Sequence, residues 1–274
     1  MTAVQSTGAP LLAATGVTVR FGGVVALDDV SLVVPGGSTV GLVGPNGAGK
    51  TTLFGVLSGL VRPKDGRVTM GGVDITHKTP QTRARRGLAR TFQRMELFTE
   101  LTVREHLVVA RRVKDRRERV LGMARDLTGF GERPGQGEDA AVDEILELLG
   151  LADVADRPAL SVPLGTGRLL EVARALAAEP TVMLLDEPSS GLDVHETEQL
   201  GDALRLVRRE RGTAFVLVEH NVDFVLDLSD RVTVLDFGKV LVEGSPEEIR
   251  TSPQVQAAYF GASVGESDVT GSGA

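Results

Sequence analysis

One octapeptide, GPNGAGKT at residues 44–51, constrains the fold of this chain more than any other feature. It matches the pattern G-x-x-x-x-G-K-[ST] at each fixed position. An aliphatic run precedes it at residues 38–43, and an apolar helical pattern follows it at residues 51–60. A strand that leads through a glycine-rich loop into a helix directs several backbone N–H groups toward phosphate oxygens. The sequence therefore predicts an α/β fold with a phosphate-binding loop at the carboxyl end of a strand.

The residue types in this loop predict individual contacts with a nucleotide. We expect Lys50 to bridge the β- and γ-phosphates, Thr51 to offer its hydroxyl to Mg²⁺, and Thr52 to place a hydroxyl near the α-phosphate. The backbone of the loop is expected to cradle the phosphate oxygens at Gly44, Asn46, Gly47, Ala48 and Gly49. The alternative is an ordinary glycine-rich turn that carries an exposed lysine.

A second candidate site follows the aliphatic run VMLL, where Asp186 and Glu187 stand side by side. The carboxyl ends of parallel strands open on the ligand-binding edge of a sheet. Asp186 is therefore expected to hold Mg²⁺ through water, and Glu187 to polarise the attacking water in phosphoryl transfer. An acid pair at a strand end also fits a solvated strand terminus or a helix cap.

The composition excludes several classes of protein. Of the 274 residues, 42% are hydrophobic and 24% are charged, which is typical of a globular protein with a real core. The net charge of -7 gives no support to nucleic-acid binding, and the absence of cysteine excludes disulfides, thiolate zinc sites and cysteine nucleophiles. No apolar run reaches the length of a membrane-spanning helix, and the N-terminal residues lack a signal-peptide pattern. We therefore expect a cytoplasmic protein.

Patterning along the chain predicts a discontinuous core. Short β-branched runs at residues 11–34 indicate antiparallel strands, and helical periodicity appears at residues 103–113 and 142–149. Three later aliphatic strands alternate with helical patterns, as in a parallel sheet. The predicted organisation is a single domain at residues 11–260, with a core from residues 11–93 and 179–260, a helical subdomain at about residues 94–178, and a disordered tail at residues 261–274.

The order of the motifs resembles that of ABC transporter nucleotide-binding subunits. GPNGAGKTT, TFQ with Gln93, LLDEP, SGLD, and His220 after TAFVLVE appear in that family's order, and the resemblance covers about residues 11–260. It implies a P-loop NTPase (RecA-like) core with an antiparallel β layer and an inserted α-helical subdomain. It also implies ATP and Mg²⁺ as the cofactors of an ATP-hydrolysing subunit.

The resemblance implies roles for further residues, each with an alternative. Gln93 resembles the Q-loop glutamine, a magnesium ligand, or is a surface polar residue. His220 resembles the switch histidine that contacts the γ-phosphate, or is a packed or capping histidine. Residues 190–193 resemble the D-loop that meets a partner subunit, and Asp193 also suits a helix cap. Phe21 stands where an aromatic ring stacks on adenine, although core packing explains it nearly as well.

The signature segment, residues 162–166, departs from the family pattern. The usual LSGGQ is replaced by VPLGT, with Pro163 in place of the serine. We expect Gly165, Thr166 and Gly167 to begin a helix whose N-terminus faces the partner's nucleotide. Either the backbone and the helix dipole suffice for this contact, or this half-site is weakened; Ser161 lies out of register.

Longer segments look like ATP-binding subunits of branched-chain amino acid uptake systems, including relatives for amides and urea. They are FGGVVALDDVSLVV, LARTFQRMELFTELTVREHLVVA and VLDFGKVLVEGSPEEI. The resemblance implies a peripheral protein on the cytoplasmic side of the membrane that dimerises with a second, identical or related, ATP-binding subunit. It would drive transmembrane permease subunits, served indirectly by an extracytoplasmic solute-binding protein. Residues 94–101 directly follow Gln93 and mix apolar and charged side chains, so we expect them to line the groove for a cytoplasmic helix of the membrane partner. The alternative is an ordinary surface of the helical subdomain.

Three alternatives to an importer subunit stay open. The catalytic motifs also suit the ATPase subunit of an ABC exporter. A soluble ABC ATPase that acts on ribosomes or DNA typically has two tandem cores or a long coiled coil, and this sequence has one P-loop and no sustained heptad pattern. An inactive regulatory module would explain Pro163 but not the intact Lys50, Asp186, Glu187 and His220.

Overall fold

The structure, a computed structural model, describes residues 10–91, 97–123 and 136–260. These residues form two compact units, one from residues 10–85 and 214–260 and the other from residues 86–213. In chain order the described elements are β1 (Leu12–Phe21), β2 (Val24–Val34), β3 (Thr39–Val43), α1 (Lys50–Ser58), β4 (Asp65–Met70), β5 (Val73–Asp74), α2 (Pro80–Ala84), β6 (Leu88–Arg90), α3 (Val103–Met123), α4 (Gln136–Leu148), α5 (Leu164–Leu176), β7 (Val182–Asp186), α6 (Val194–Arg211), β8 (Ala214–Val218), α7 (Val222–Leu228), β9 (Arg231–Asp236), β10 (Lys239–Gly244), α8 (Pro246–Thr251) and α9 (Pro253–Phe260).

The first unit contains an antiparallel sheet with the strand order β2-β1-β4-β5. Leu12 of β1 lies opposite Val34 of β2 on one side and Met70 of β4 on the other. Leu12 and Val34 are both fully buried, so this register places one apolar face of the sheet in the core. The antiparallel β layer predicted at residues 11–34 is confirmed.

The first unit also contains three parallel strands, with β3 between β8 and β9, while β10 runs antiparallel beside β9. All residues of β3 and β8 are buried, as in parallel sheets that are covered on both faces. α7 packs against β3 at Gly41, where a Cβ would lie 2.3 Å from Cγ1 of Val225. The parallel arrangement predicted for the later strands is thus confirmed for β8 and β9.

The second unit pairs β6 and β7 in parallel, with Leu88 opposite Val182. Helices α3, α4 and α5 contact one another. Their buried apolar side chains include Val103, Leu107, Val142, Ile145, Leu146, Leu170 and Val172. The helices predicted near residues 103–113 and 142–149 are confirmed as α3 and α4.

The structure leaves parts of the predicted domain organisation untested. A helical subdomain at about residues 94–178 falls inside the second unit, which also includes β7 and α6, and these subdomain boundaries stay a prediction. The predicted tail at residues 261–274 lies outside the described residues. Over the described parts of the chain, no helix combines the length and the apolar character needed to cross a bilayer.

Candidate functional site

The phosphate-binding loop has a backbone that only glycine can adopt at its two ends. Gly44 and Gly49 have φ angles of 151° and 105°. A Cβ at Gly44 would lie 2.1 Å from the carbonyl oxygen of Leu235, and one at Gly49 would lie 2.8 Å from the carbonyl oxygen of Ala26. Gly47, with φ 81°, has no described atom within 4 Å of the Cβ position. The loop is therefore fixed at both ends by close backbone contacts and is open in the middle.

Lys50 begins α1 directly after this loop, with Gly49 as the N-cap residue. Its Nζ donates hydrogen bonds to the carbonyl oxygens of Gly44, at 2.5 Å, and Pro45, at 3.0 Å. Both of these acceptors are carbonyl oxygens of the loop itself. Thr51 is exposed and Thr52 is half-buried at the start of the helix. The loop thus combines a cation, hydroxyls and a helix N-terminus, which suits an anionic phosphate chain.

A turn far away in sequence supports the same loop. Gly238, between β9 and β10, donates its N–H to the carbonyl oxygen of Ala48 at 3.0 Å and accepts a hydrogen bond from the N–H of Asp28 at 2.8 Å. Phe237 before it has a positive φ of 42°, which is unusual for a residue with a side chain. Sequence reasoning did not find this support, although the dipeptide Phe237-Gly238 between two apolar runs is a turn signal.

Arg83 is a second structural residue that the sequence analysis missed. Its side chain is fully buried and donates hydrogen bonds to four backbone carbonyl oxygens. Two of them, those of Val56 at 2.5 Å and Leu57 at 2.6 Å, belong to the last turn of α1, where a cation also opposes the helix dipole. Burial lowers the pKa of Arg83 to about 10. Arg83 thus caps the helix that begins at the phosphate-binding loop.

His220 lies at the same sheet edge as the phosphate-binding loop. β3 and β8 are parallel neighbours, with Leu42 opposite Val218, so the residues that follow their carboxyl ends share one edge. His220 is exposed, and its backbone N–H donates a hydrogen bond to Oε2 of Glu219 at 3.2 Å. The cap of α7 is the next residue, Asn221, whose Oδ1 accepts from the N–H of Phe224. The capping role considered for His220 therefore belongs to its neighbour.

Phe21, the last residue of β1, is not a core residue. Its exposed fraction is 54%, and it lies opposite Val24 across the turn to β2. The core-packing interpretation of this ring is therefore wrong. The exposed ring face remains compatible with stacking on a base, which stays a prediction.

The acid pair lies in the second unit, at the end of β7. Asp186 is buried, and its Oδ2 lies 2.8 Å from Nη2 of Arg90. Glu187 follows with a φ of 50°, a left-handed conformation that costs energy for a residue with a side chain. The carbonyl oxygen of Glu187 accepts a hydrogen bond from the N–H of Ser190 at 3.1 Å. The carboxylate of Asp186 is thus held by an ion pair, and the backbone of Glu187 is held in a turn.

The signature segment leads into α5, which begins at Leu164 with Pro163 as its N-cap. The N–H of Gly165 donates to Oε1 of Glu196 at 3.1 Å, so this amide already has an anionic acceptor within the chain. Gly167 donates to the carbonyl oxygen of Pro163 at 2.9 Å, and Thr166 is half-buried. The helix predicted after Pro163 is confirmed.

Two further residues predicted near this site, Ser161 and Asp193, form hydrogen bonds within the chain. The hydroxyl of Ser161 donates to the carbonyl oxygen of Pro158 at 2.7 Å, which ties it to its own turn. Asp193 caps α6: its Oδ1 accepts from the N–H of Glu196 at 2.8 Å, and Oε2 of Glu196 accepts from the N–H of Asp193 at 3.1 Å. The capping role expected for Asp193 is confirmed.

Gln93 lies outside the described residues, as do residues 94–96 of the segment expected to line a groove for a membrane partner. Farther along that segment, Phe98 is 56% exposed. The N–H of Phe98 donates to Nε2 of the buried His106 at 2.9 Å, and the two rings contact each other with centroids 5.6 Å apart. Nδ1 of His106 lies 2.8 Å from the carbonyl oxygen of Thr102. The exposed ring of Phe98 is therefore held in place by its contacts with the buried His106.

The described residues that are predicted to bind Mg²⁺ carry oxygen donors, which this ion prefers. Among all the described residues, no group of three or more His, Cys, Asp or Glu side chains is arranged to hold a metal. The two described residues predicted as magnesium ligands are a hydroxyl, Thr51, in the first unit and a carboxylate, Asp186, in the second. Mg²⁺ is usually bound by one or two carboxylates together with substrate phosphates and water. Each of these two residues therefore offers an oxygen donor of the kind that Mg²⁺ accepts.

Comparison with known proteins gives matches along most of the chain. The sequence matches the ABC transporter family over residues 27–190 and the branched-chain amino acid ATP-binding cassette transporter family over residues 239–264. It is 38% identical over 252 residues to the high-affinity branched-chain amino acid transport ATP-binding protein LivG of Salmonella typhimurium, which covers 92% of this chain and 98% of LivG.

The chain is also similar to an ATP-binding protein of an export system and to a solved ATP-binding cassette. The chain is 36% identical over 235 residues to the lipopolysaccharide export system ATP-binding protein LptB of Haemophilus influenzae, which covers 86% of this chain and 90% of LptB. Among solved structures, an ATP-binding cassette of an ABC transporter in its ADP conformation has a TM-score of 0.78 and 29% identity, and the match covers 92% of this chain and 99% of that one.

Proposed function

Since this chain belongs to the ABC transporter family as an ATP-binding and ATP-hydrolysing subunit, we propose that it powers the uptake of branched-chain amino acids or related small polar solutes, such as amides or urea. The observation that carries this proposal is the 38% identity with LivG over nearly the whole of both chains. The separate match of residues 239–264 to a branched-chain amino acid cassette family supports the same solute class.

In the proposed mechanism, the phosphate-binding loop holds the ATP. The amides of Gly44, Asn46, Gly47, Ala48 and Gly49 cradle the phosphates. Lys50 turns its ammonium from the loop carbonyls to the β- and γ-phosphates, Thr52 binds on the α-phosphate side, and Phe21 stacks on the adenine.

Hydrolysis requires positioned charges more than covalent chemistry. Glu187 polarises the attacking water, and His220 contacts the γ-phosphate. Thr51, Gln93 and Asp186 are the residues that would hold Mg²⁺. When bound, this ion supplies positive charge against the phosphate oxygens. The left-handed backbone of Glu187 supports its catalytic role, because strained conformations concentrate at active sites.

The assembly proposed for this subunit follows from the family. A second ATP-binding subunit, identical or related, contributes its signature segment to each nucleotide, while residues 165–167 and Asp193 of this chain face the partner's nucleotide. ATP favours the closed dimer because it binds that state more tightly, and hydrolysis removes these contacts. The subunit acts on transmembrane permeases from the cytoplasmic side of the membrane, and a solute-binding protein delivers the solute outside.

The enzymatic part of the proposal is tested with Glu187→Gln. We expect this variant to lose ATP turnover while it retains Mg-ATP binding, and light scattering should detect an ATP-dependent dimer. Glu198→Gln, an exposed acid on α6, serves as the control. Full turnover by Glu187→Gln would contradict the role of Glu187 as the general base.

The identity of the transported solute is tested by purifying the tagged chain together with its membrane subunits and solute-binding protein. We expect ATPase activity in the reconstituted complex to rise when the binding protein carries leucine, isoleucine or valine. Stimulation by urea or an amide instead would assign the related solute class.

An exporter subunit is the second candidate, and the 36% identity with LptB over most of both chains favours it. An exporter would copurify with membrane subunits but without a solute-binding protein. Its ATPase activity would not respond to amino acids on the outer side of the membrane.

A further inference from the structure

A single carboxylate joins the start of the signature helix, α5, to the D-loop, residues 190–193. Oε1 of Glu196 accepts a hydrogen bond from the N–H of Gly165, and Oε2 accepts one from the N–H of Asp193, each at 3.1 Å. Hydrogen bonds to an ionised carboxylate are stronger than those between neutral groups. Glu196 therefore holds two backbone segments that are distant in sequence.

The packing at Gly165 shows that this contact is part of the fold. Gly165 is buried, and a Cβ there would lie 2.8 Å from Oε1 and 2.9 Å from Cδ of Glu196. A glycine leaves the space that the carboxylate fills. The carboxylate also lies at a helix N-terminus, where the dipole favours negative charge.

Two neighbouring contacts join the same two segments. Nη2 of Arg168 donates to the carbonyl oxygen of Ser190 at 3.1 Å, while Nη1 is paired with the carboxylate of Glu171 at 3.0 Å. The Cδ2 atom of Leu164 lies 3.1 Å from the Cβ position of Gly191. The first turns of α5 thus contact the D-loop through a carboxylate, a guanidinium and an apolar side chain.

The D-loop is in turn connected to the proposed general base. The N–H of Ser190 donates to the carbonyl oxygen of Glu187 at 3.1 Å, which closes a turn between the two residues. The hydrogen bonds of Arg168 to Ser190 and of Ser190 to Glu187 therefore link the first turns of α5 to the backbone of the proposed general base.

We infer that Glu196 is a positioning residue that makes the signature helix and the D-loop move together, so that nucleotide contact at the partner-facing signature segment changes the position of Glu187. The inference rests on the proposed function, because that function places both segments at the partner subunit. It deepens the proposal by assigning a residue that couples the two nucleotide sites.

The first test measures amide hydrogen exchange by mass spectrometry in the full-length chain. We expect Glu196→Ala to accelerate exchange by about tenfold both in residues 165–167 and in residues 190–194, since two charge-assisted hydrogen bonds are lost. A role confined to the capping box of α6 would accelerate exchange near residues 193–197 and leave residues 165–167 unchanged. Glu198→Ala, an exposed neighbour on the same helix, should change neither segment.

The second test separates ATP binding from turnover. Glu196→Ala should lower kcat by about tenfold, while the Kd for a fluorescent ATP analogue stays within about twofold of the wild-type value. Glu196→Gln retains an amide oxygen as one acceptor, so it should fall between the wild type and Glu196→Ala in both tests, and it serves if the alanine variant fails to fold.

The failures of the two proposals are distinguishable. Unchanged exchange in residues 165–167, or an unchanged kcat, would overturn the role of Glu196. Absence of ATP binding by the wild-type chain would overturn the proposed function, whatever the exchange experiment shows.

Discussion

Arg90 at the end of β6 is ion-paired with Asp186 at the end of β7, with 2.8 Å between Nη2 and Oδ2. Their side chains are only 15% and 7% exposed, so solvent and salt screen this pair weakly. The hydroxyl oxygen of Thr91 accepts a hydrogen bond from the N–H of Asp186 at 3.3 Å. Asp186, whose carboxylate is proposed to hold Mg²⁺, is thus held at its side chain by Arg90 of the neighbouring strand and at its backbone by Thr91, the residue after that strand.

We predict that Arg90→Met lowers the free energy of unfolding by about 3 kcal/mol, because it leaves a buried carboxylate without its cation. Urea denaturation measures this change. Arg205→Met is the matched control, since Arg205 forms an exposed pair with Asp202, and it should have little effect. An equal loss of stability in the two variants would contradict the prediction.

Alanine substitutions at two loop glycines should have unequal effects. Gly44→Ala places a Cβ against the carbonyl oxygen of Leu235, whereas Gly47→Ala places one in open space, although both residues have positive φ. We expect Gly47→Ala to cost about 1–2 kcal/mol in backbone strain alone and Gly44→Ala to cost more. Thermal unfolding ranks the two variants, and fluorescent ATP binding should be weakened more in Gly44→Ala.

Replacement of Arg83 should destabilise the first unit. Arg83→Met leaves four carbonyl oxygens without their guanidinium donor, so we expect a loss of about 2–4 kcal/mol. Arg85→Met, an exposed position two residues later, is the control and should stay close to the wild type. Arg83→Lys should recover only part of the stability, because an ammonium cannot reproduce the planar fork of donors.

His106 makes the stability of the chain depend on pH. Burial lowers the pKa of its imidazole below the ordinary 6.5, because removal from water disfavours the charged ring. Arg174 lowers the pKa further, while the hydrogen bond with Thr102 and the charge of Glu105 oppose this shift. The unfolded state therefore takes up a proton before the folded state does, and stability falls as the pH drops below about 6.5.

The measurement for His106 is urea denaturation at about pH 7.5 and about pH 5.5. His106→Gln should lose less stability between these two conditions than the wild type does. A substitution at the exposed His77 controls for the removal of a histidine as such. An identical pH dependence in wild type and His106→Gln would show that other groups cause the effect.

Phe98→Asp tests the proposed groove for the permease. A charge in place of an exposed phenyl ring should disfavour burial against a membrane partner, and it should leave the phosphate-binding loop unaffected. We expect normal ATP binding and a lower yield of the complex in copurification. An unchanged yield would remove Phe98 from the partner interface.

Features with a local pattern were predictable from the sequence. Strand β3, the loop and α1 follow from the spacing of glycines and apolar residues, and Asp193 was identified as a helix cap from the turn that precedes α6. The parallel strands followed from aliphatic runs that alternate with helical patterns.

Contacts between distant residues could not be predicted in the same way. Arg83 reaches the carbonyls of Val56 and Leu57, and Glu196 reaches Gly165, and neither pair lies within one helix or hairpin. In the sequence, Arg83 and Glu196 look like ordinary charged residues of helix surfaces, because burial and partner choice are set by tertiary packing. The sequence also left the exposure of Phe21 undecided, since an aromatic ring next to two glycines suits either a buried or an exposed position.

The hydrogen bonds of Gly238 to Ala48 and Asp28 have a consequence for biosynthesis. When the GPNGAGKT segment has left the ribosome, the turn at Gly238 that supports it does not yet exist, because this turn is translated almost 200 residues later. Because contacts of such high sequence separation form late, the braced form of the loop depends on the synthesis of Gly238. Acquisition of ATP affinity during translation would thus report the arrival of this turn rather than the synthesis of the phosphate-binding motif.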